Sequence, residues 1–161
     1  MTDKFICTII NRFNRGEIVE TESITHLSSL VFHSKVLSNK FYSAKTNKFY
    51  SIPLNFYFIK NFEGIIIGAV HIMESDFHWY VKNGHRKKGY LSKALKDVIL
   101  PHLNHLGVII QRISINKLIL SKRNCLNSMR VAENCGFKVI ENCYDKIILE
   151  LELKNCSNFY T

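Results

Sequence analysis

The hydrophobic pattern of this chain changes its period across one short, basic loop. Residues 56–60, 65–72 and 77–81 are rich in β-branched and aromatic side chains, which predicts three strands, the first two joined as an antiparallel hairpin. Beyond the loop, apolar residues recur with the period of an α-helix at Leu91, Ala94, Leu95, Val98, Ile99 and Leu103. Strands that lead through a loop into a helix indicate a domain of the α/β class.

The rest of the chain extends this pattern on both sides. On the N-terminal side we expect a strand at 5–10, a helical region at 23–37 capped by Thr21 or Ser23, and a loop or short helix at 39–50. On the C-terminal side we expect a strand at 108–120, a short helix at 128–135 that ends at Gly136, and strands at 137–140 and 146–153. The central strand–helix–strand succession predicts one parallel pair of strands.

The composition predicts one globular domain, residues 1–161. Hydrophobic residues make up 47% of the chain and charged residues 22%, so the chain can bury a core, and no segment resembles a linker. No apolar run reaches the ~20 residues of a membrane helix and the N-terminus lacks a secretory pattern, so we expect a cytoplasmic protein without membrane contact. Five cysteines without a C-x-x-C spacing, and a His102/His105 pair without a third ligand, predict neither a disulfide framework nor a metal site.

The charge balance leaves two explanations open. Lysine and arginine number 22 against 13 acidic residues, which gives a net charge of +9. Such an excess favours an anionic partner, which would be a nucleic acid, the ribosome or a phosphorylated cofactor. The chain is also rich in Lys, Asn and Ile, as AT-rich genomes encode, and that bias alone raises the charge.

The loop between the strand and the helix has the chemistry of an anion site. The basic run 86–88 leads to Gly89 and the helix start, so backbone N–H groups, the helix dipole and cationic side chains converge, which favours phosphate. Gly84 and Gly89 have the spacing of a P-loop, but Tyr90-Leu91 replace its Lys and Ser or Thr, and the dinucleotide-binding G-x-G is missing. A basic loop without a ligand is the alternative interpretation.

Two segments resemble the GNAT superfamily of N-acetyltransferases. The first, Arg86-x-x-Gly89-x-Leu91 after a strand, is similar to the R/Q-x-x-G-x-G/A signature of that superfamily. The second, Ser128-Met129-Arg130-Val131-Ala132-Glu133-Asn134-Cys135-Gly136-Phe137, is similar to a helix of the subgroup that acetylates the N-termini of ribosomal proteins. The resemblance covers residues 56–153, most of the chain.

The resemblance implies a fold and a cofactor. The expected fold is an α/β domain with a GNAT-like mixed sheet of six or seven strands, splayed between the fourth and fifth strands and flanked by helices. The expected cofactor is acetyl-CoA, without a metal. The implied cofactor-binding residues are Arg86, Lys87, Lys88, Gly89, Tyr90, Leu91 and Ser92 for the diphosphate, Trp79, Tyr80 and Val81 for the pantetheine amides, and Asn124 and Asn127 for the cofactor arm.

Two of these positions depart from the family pattern. Leu91 stands where the family has Gly or Ala, and we expect its side chain to point into the helix core. Cys125 stands where the family commonly has the Asn that touches the cofactor arm. Asn124 is therefore predicted to take over that contact.

The resemblance also implies direct transfer of the acetyl group to an amine. The Tyr that acts as the acid in many members is replaced by Ala132, so Ser128 is the predicted acid, unless it is only the N-cap of its helix. Glu74 and His78 are the candidate bases, although proton loss to a water chain stays open. Backbone N–H groups of residues 80–82 are the predicted donors to the oxyanion.

The acceptor amine is not encoded in these motifs. A protein N-terminus, a ribosomal protein and a small-molecule amine are all compatible with an acetyltransferase of this type. The alternatives are a catalytically degenerate GNAT-fold module that binds RNA or the ribosome, and an acetyltransferase toxin that acts on aminoacyl-tRNA. A homodimer is an expectation from the family, since dimers are common in it.

Overall fold

The computed structural model describes residues 2–38 and 40–153, except for the side chain at position 41. The chain forms two compact units that alternate along the sequence. One unit contains the chain up to Ile72 together with Trp79–His85. The other contains Met73–His78 together with the chain from Arg86 onward.

The first unit opens with a helix, α1 (Asp3–Asn14), so the prediction of a strand at 5–10 is wrong. The hydroxyl of Thr2 caps α1 by accepting the N–H of Phe5. Three isoleucines at helical spacing, Ile6, Ile9 and Ile10, are buried against the phenylalanines of the sheet, Phe32, Phe56 and Phe58. The segment is helical because these side chains, at i, i+3 and i+4, reach the core from one helix face.

A hairpin replaces the predicted helical region at 23–37. Strands β1 (Thr21–His26) and β2 (Val31–Leu37) pair in antiparallel fashion, so Thr21 and Ser23 cap no helix. The hydroxyl of Ser28 accepts the N–H groups of Leu30 and Val31 and closes the turn. The segment 39–50, predicted as a loop or a helix, contains a second, two-stranded sheet of β3 (Phe41–Ser43) and β4 (Lys48–Tyr50).

The predicted central hairpin is confirmed. Strand β5 (Pro53–Lys60) pairs with β2 and with β6 (Ile66–Met73), in both cases antiparallel. In the turn between β5 and β6, the side-chain oxygen of Asn61 accepts the N–H groups of Glu63 and Ile65, and Gly64 has a φ of +80°. Strand β7 (Asp76–Val81) follows, with its second half in the first unit.

The second unit confirms the amphipathic helix after the loop. The chain is helical without a break through α2 (Tyr90–Ala94), a π-helical segment (Leu95–Ile99) and α3 (Leu100–His105). Its apolar face is buried, as the spacing predicted. Helix α4 (Lys122–Asn134) starts earlier than the expected 128, and Gly136, with a φ of +92°, follows its C-cap Cys135. Within residues 2–38 and 40–153, no helix has the length and apolar character needed to cross a bilayer.

Strands β8 (Ile110–Asn116), β9 (Lys138–Asn142) and β10 (Lys146–Glu152) pair antiparallel in the order β8-β10-β9. The start of β7 pairs with β8 in parallel, at Asp76 and Arg112. The eight strands follow the hydrogen-bonded order β1-β2-β5-β6-β7-β8-β10-β9. The predicted mixed α/β class and parallel pair are confirmed, and the sheet is larger than six or seven strands because residues 21–37 supply two of them.

Gly68 on β6 is the tightest glycine of the first unit. A Cβ atom at this position would lie 2.8 Å from the carbonyl oxygen of Tyr80 and 3.2 Å from a methyl group of Val81. Because the nearest atom belongs to the backbone, no side-chain rotation can relieve the contact. The close approach of β6 and β7 therefore requires glycine.

We predict that Gly68→Ala lowers the free energy of unfolding by about 1–3 kcal/mol, because the strands must separate to admit the methyl group. Urea denaturation followed by circular dichroism measures the change. Gly84→Ala is the matched control, since a Cβ atom there would meet nothing within 4 Å. Equal stability of the two variants would contradict this account.

Candidate active site

The basic loop of the second unit contains two residues in the left-handed region. Gly89 has a φ of +78° and Lys87 a φ of +61°. A lysine at positive φ is uncommon and stores backbone strain. Left-handed residues curl the backbone so that successive N–H groups can converge on one anion. The charged side chains of the loop, Arg86, Lys87 and Lys88, are all exposed.

The long helix begins directly at this loop without a side-chain cap. Gly89 is its N-cap, and the first helical hydrogen bond runs from the N–H of Lys93 to the carbonyl oxygen of Gly89, at 2.9 Å. The N–H groups of Leu91 and Ser92 precede that bond and have no acceptor within the helix. These amides and the positive end of the helix dipole together favour a phosphate group at the helix start.

Leu91 does not obstruct this helix start. Its side chain is buried on the same helix face as Ala94 and Leu95, which agrees with the expectation that it points into the core. On the neighbouring helix α4, the thiol of Cys135 contacts the carbonyl oxygen of Ser92 at 3.9 Å. Burial raises the pKa of this thiol to about 11, so Cys135 is a neutral packing residue at physiological pH.

Helix α4 places its candidate residues differently from the expectation. The N-cap is Ser121, whose hydroxyl accepts the N–H of Asn124 at 3.3 Å. Ser128 therefore lies within the helix, half-buried, and the interpretation of Ser128 as a helix cap is wrong. Ser128 precedes Cys135 by two helical turns, or about 10 Å along the axis.

The asparagines of α4 flank a buried cysteine. Cys125 is buried, and its thiol donates to the carbonyl oxygen of Leu120 at 3.7 Å. Asn124 is exposed and lies one turn before Ser128 on the same helix face, at the i, i+4 spacing. Asn127 is half-buried and directly precedes Ser128, so its side chain points in a different direction. Cys125 thus packs in the core, whereas the side-chain amide of Asn124 is exposed to solvent.

The two candidate bases occupy different positions around β7. Glu74 is exposed in the turn between β6 and β7, with a left-handed φ of +53°. His78 is half-buried within β7 itself. The structure therefore places one carboxylate at a turn and one imidazole on a strand.

One backbone amide at the end of β7, that of Lys82, already donates a hydrogen bond within the first unit. Trp79, Tyr80 and Val81 are half-buried on β7. The N–H of Lys82 donates to the carbonyl oxygen of Ile67 at 2.8 Å, so the prediction of this amide as an oxyanion donor is wrong. The Lys82 ammonium donates to Asn11 on α1, which ties the end of the strand to that helix.

A carboxylate that the sequence analysis missed organises the start of the parallel pair. Asp76 Oδ1 accepts the N–H of Ser114 on β8 at 2.9 Å and the N–H of Phe77 at 2.8 Å. The carbonyl oxygen of Ser75 accepts the N–H of Arg112 at 2.7 Å and the amide of the fully buried Gln111. The Asp76 side chain thus replaces a backbone carbonyl in the hydrogen-bond ladder. The sequence signal for this role is a carboxylate placed directly after a hairpin turn.

We predict that Asp76→Ala exposes the Ser114 amide to rapid hydrogen exchange and destabilises the protein by about 1–3 kcal/mol, because two charge-assisted hydrogen bonds are lost. Asp76→Asn keeps the accepting oxygen and is expected to preserve most of the protection. Exchange of backbone amides, measured by NMR, checks the prediction. Equal protection of Ser114 in the alanine variant and in the unsubstituted protein would contradict it.

The comparisons with known proteins identify the fold. No family model matches the chain, and no curated protein sequence matches it significantly. Spermidine N-acetyltransferase from Vibrio cholerae, solved in complex with CoA and spermine, is 14% identical with a TM-score of 0.51, over 63% of this chain and 67% of that one. A GNAT-family acetyltransferase from Bacillus anthracis is 14% identical with a TM-score of 0.49, over 60% and 65% of the two chains.

The N-acetyltransferase PseH from Campylobacter jejuni is also 14% identical, with a TM-score of 0.48, over 62% of this chain and 67% of that one. At these identities the likeness concerns the backbone architecture and not individual residues. The mixed sheet and its flanking helices are those of the GNAT fold.

Proposed function

We propose that the protein is an N-acetyltransferase that takes its acetyl group from acetyl-CoA and transfers it directly to a primary amine. The observation that carries the proposal is the helix start at Gly89, where left-handed backbone, uncapped amides and exposed basic side chains coincide on a GNAT fold. When bound, acetyl-CoA supplies an acyl group that is activated as a thioester.

The loop would hold the cofactor through its diphosphate. The uncapped N–H groups of Leu91 and Ser92 would donate to phosphate oxygens, with Gly89 and Tyr90 completing the backbone cradle. The side chains of Arg86, Lys87 and Lys88 would balance the negative charge from the solvent side. The roles of Trp79, Tyr80 and Val81 toward the pantetheine amides stay predictions from the resemblance.

Helix α4 would contribute the polar groups nearest the thioester. We assign the proton donor to Ser128 Oγ, which would protonate the departing sulfur, and the arm contact to Asn124, with Asn127 beside it. Support comes from the helix start, because the N-cap of α4 is Ser121 and not Ser128. The distance of two helical turns from Cys135 suits a group that acts away from the diphosphate.

The acceptor amine must lose a proton before it attacks. His78 is the stronger candidate for this base, since imidazole is the side chain most often used for proton transfer and His78 is half-buried on β7. Glu74, exposed in its turn, is the second candidate.

The class of acceptor follows from charge. The Vibrio cholerae neighbour was solved with spermine, but a net charge of +9 opposes the approach of a polyamine, which is itself cationic. An amine carried by an anionic assembly, such as a ribosomal protein N-terminus or aminoacyl-tRNA, is attracted instead. The resemblance of the segment from Ser128 to Phe137 supports the ribosomal-protein subgroup, and membership of that subgroup is part of the proposal.

Gly89 tests the cofactor site. We predict that Gly89→Val weakens CoA binding at least about tenfold, because a β-branched residue disfavours the left-handed backbone that shapes the cradle. Gly107→Val is the matched control, since Gly107 also has a positive φ of +82° with nothing within 4 Å of its Cβ position. Isothermal titration with CoA measures both affinities.

Both glycine variants are expected to lose stability, and only the first is expected to lose affinity. Equal CoA affinities for the two variants would remove the loop from the site. Absence of binding by the unsubstituted protein at about millimolar CoA would overturn the proposed function itself, since ordinary substrate affinities lie below that range.

Ser128 and Ser121 separate catalysis from capping. We predict that Ser128→Ala lowers kcat by about a hundredfold, as expected for loss of a general acid, with little change in the KM for acetyl-CoA or in Tm. Ser121→Ala removes the true cap, so it should cost about 1 kcal/mol of stability and leave kcat unchanged. Steady-state kinetics and thermal denaturation of both variants provide the measurements. A fall in Tm without a fall in kcat for Ser128→Ala would contradict the assignment.

A further inference from the structure

The segment between β2 and β5 forms an arm with its own two-stranded sheet. Strands β3 and β4 pair within residues 41–50, and we call residues 40–50 the hairpin arm. At its base, the N–H of Ser38 donates to the carbonyl oxygen of Ile52, and the N–H of Ile52 donates to the hydroxyl of Ser38. The arm therefore continues outward from the β2–β5 ladder, which ends at Leu37 and Pro53.

The arm presents aromatic side chains to solvent. Tyr42 and Phe49 lie opposite each other across the two strands, with ring centroids 5.4 Å apart, and they are 52% and 69% exposed. The Tyr42 hydroxyl donates to Asn47, which holds its ring in place. Strand aromatics ordinarily pack on a core, and an isolated two-stranded hairpin is only marginally stable in water. A paired, exposed ring platform thus indicates a partner outside the chain.

The charge of the arm selects the chemistry of that partner. The segment 38–54 contains Lys40, Lys45 and Lys48 and no acidic residue. Within the described parts of the chain, neither Lys45 nor Lys48 forms an ion pair. A second copy of the chain is disfavoured here, because two surfaces of the same positive sign repel each other. A lipid surface is disfavoured because the tip, residues 44–47, has no large apolar side chain to insert.

We propose that the hairpin arm binds single-stranded RNA. Unpaired bases would stack on the Tyr42–Phe49 platform, and the three lysines would neutralise neighbouring phosphates. Thr46, exposed at the tip, supplies a hydroxyl for the ribose 2′-hydroxyl, which is the group that separates RNA from DNA. This binding does not depend on acetyl transfer, so it stands or falls separately from the proposed function.

Fluorescence anisotropy of the full chain with fluorescein-labelled U12 RNA tests the proposal. Binding is expected below about 100 µM protein at low salt. The double variant Tyr42→Ala with Phe49→Ala should weaken it by about tenfold or more, since two stacking rings are lost. Phe62→Ala with Tyr144→Ala is the matched control, because it removes one Phe and one Tyr that are 81% and 89% exposed elsewhere.

The charge contribution has its own matched pair of variants. Replacing the arm lysines by glutamine should flatten the dependence of log Kd on log salt by about 0.7 for each phosphate contact that is lost. A second triple variant lowers the net charge equally at exposed positions outside the arm and should keep more of the slope. The two sets are Lys40→Gln, Lys45→Gln and Lys48→Gln, against Lys4→Gln, Lys35→Gln and Lys138→Gln.

The remaining outcomes decide against the proposal. No anisotropy change with U12, or equal losses in the two aromatic double variants, would overturn the site. Equal affinity for the deoxyuridine 12-mer would overturn the choice of RNA. Binding of a poly-glutamate peptide or of phosphatidylserine vesicles that depends on Tyr42 and Phe49 as strongly as U12 binding does would assign the arm to a different partner.

Discussion

One carboxylate replaces a backbone carbonyl where the parallel pair of strands begins. Every N–H group of a strand needs an acceptor, and the Ser114 N–H finds one in the Asp76 side chain. Because that bond uses a side chain, it satisfies β8 without requiring β7 to continue in register. In the parallel pairing of β7 with β8, Asp76 lies opposite Arg112. The buried Gln111 amide reinforces the same point by holding the carbonyl oxygen of Ser75.

The sequence predicted the centre of the fold well and its N-terminal third poorly. The β5–β6 hairpin was predictable because a local turn, Asn61–Gly64, fixes the pairing of two strongly β-forming segments. The sequence predicts a helical region at 23–37, because apolar residues recur there at three- and four-residue spacing. In the structure that spacing is accidental, since burial in β2 covers Val31, Phe32, Ser34 and Val36, and the turn hydroxyl of Ser28 divides the segment. Non-local pairing with β5 decided the outcome, and no local pattern reports it.

The candidate site shows the same division between local and non-local information. The helix start predicts both that Gly89 has a left-handed backbone and that Leu91 is buried, because a glycine precedes the first turn and Leu91 begins the apolar face. The left-handed backbone of Lys87 could not be predicted from the sequence, since lysine has no local preference for that conformation. The helix that contains Ser128 was predicted too short because its true cap, Ser121, is separated from the apolar pattern by a polar first turn. Asp76 was missed because its partner Ser114 is distant in sequence.

The placement of the charges bears on whether the net +9 reflects function. Several cations are offset by neighbouring carboxylates, as in the pairs Arg15–Glu17, Lys93–Asp97 and Arg112–Glu150. In the described residues the lysines of the cofactor loop, Lys87 and Lys88, take part in no such ion pair, and the same holds for the lysines of the hairpin arm. Compositional drift would distribute unpaired lysines without regard to geometry. Here one set adjoins the uncapped amides of a helix start, and the other adjoins a pair of exposed rings that are tilted relative to each other. Each arrangement would add an independent attraction for the phosphate-bearing ligands proposed above. The positions of these lysines therefore agree with the two proposed binding sites.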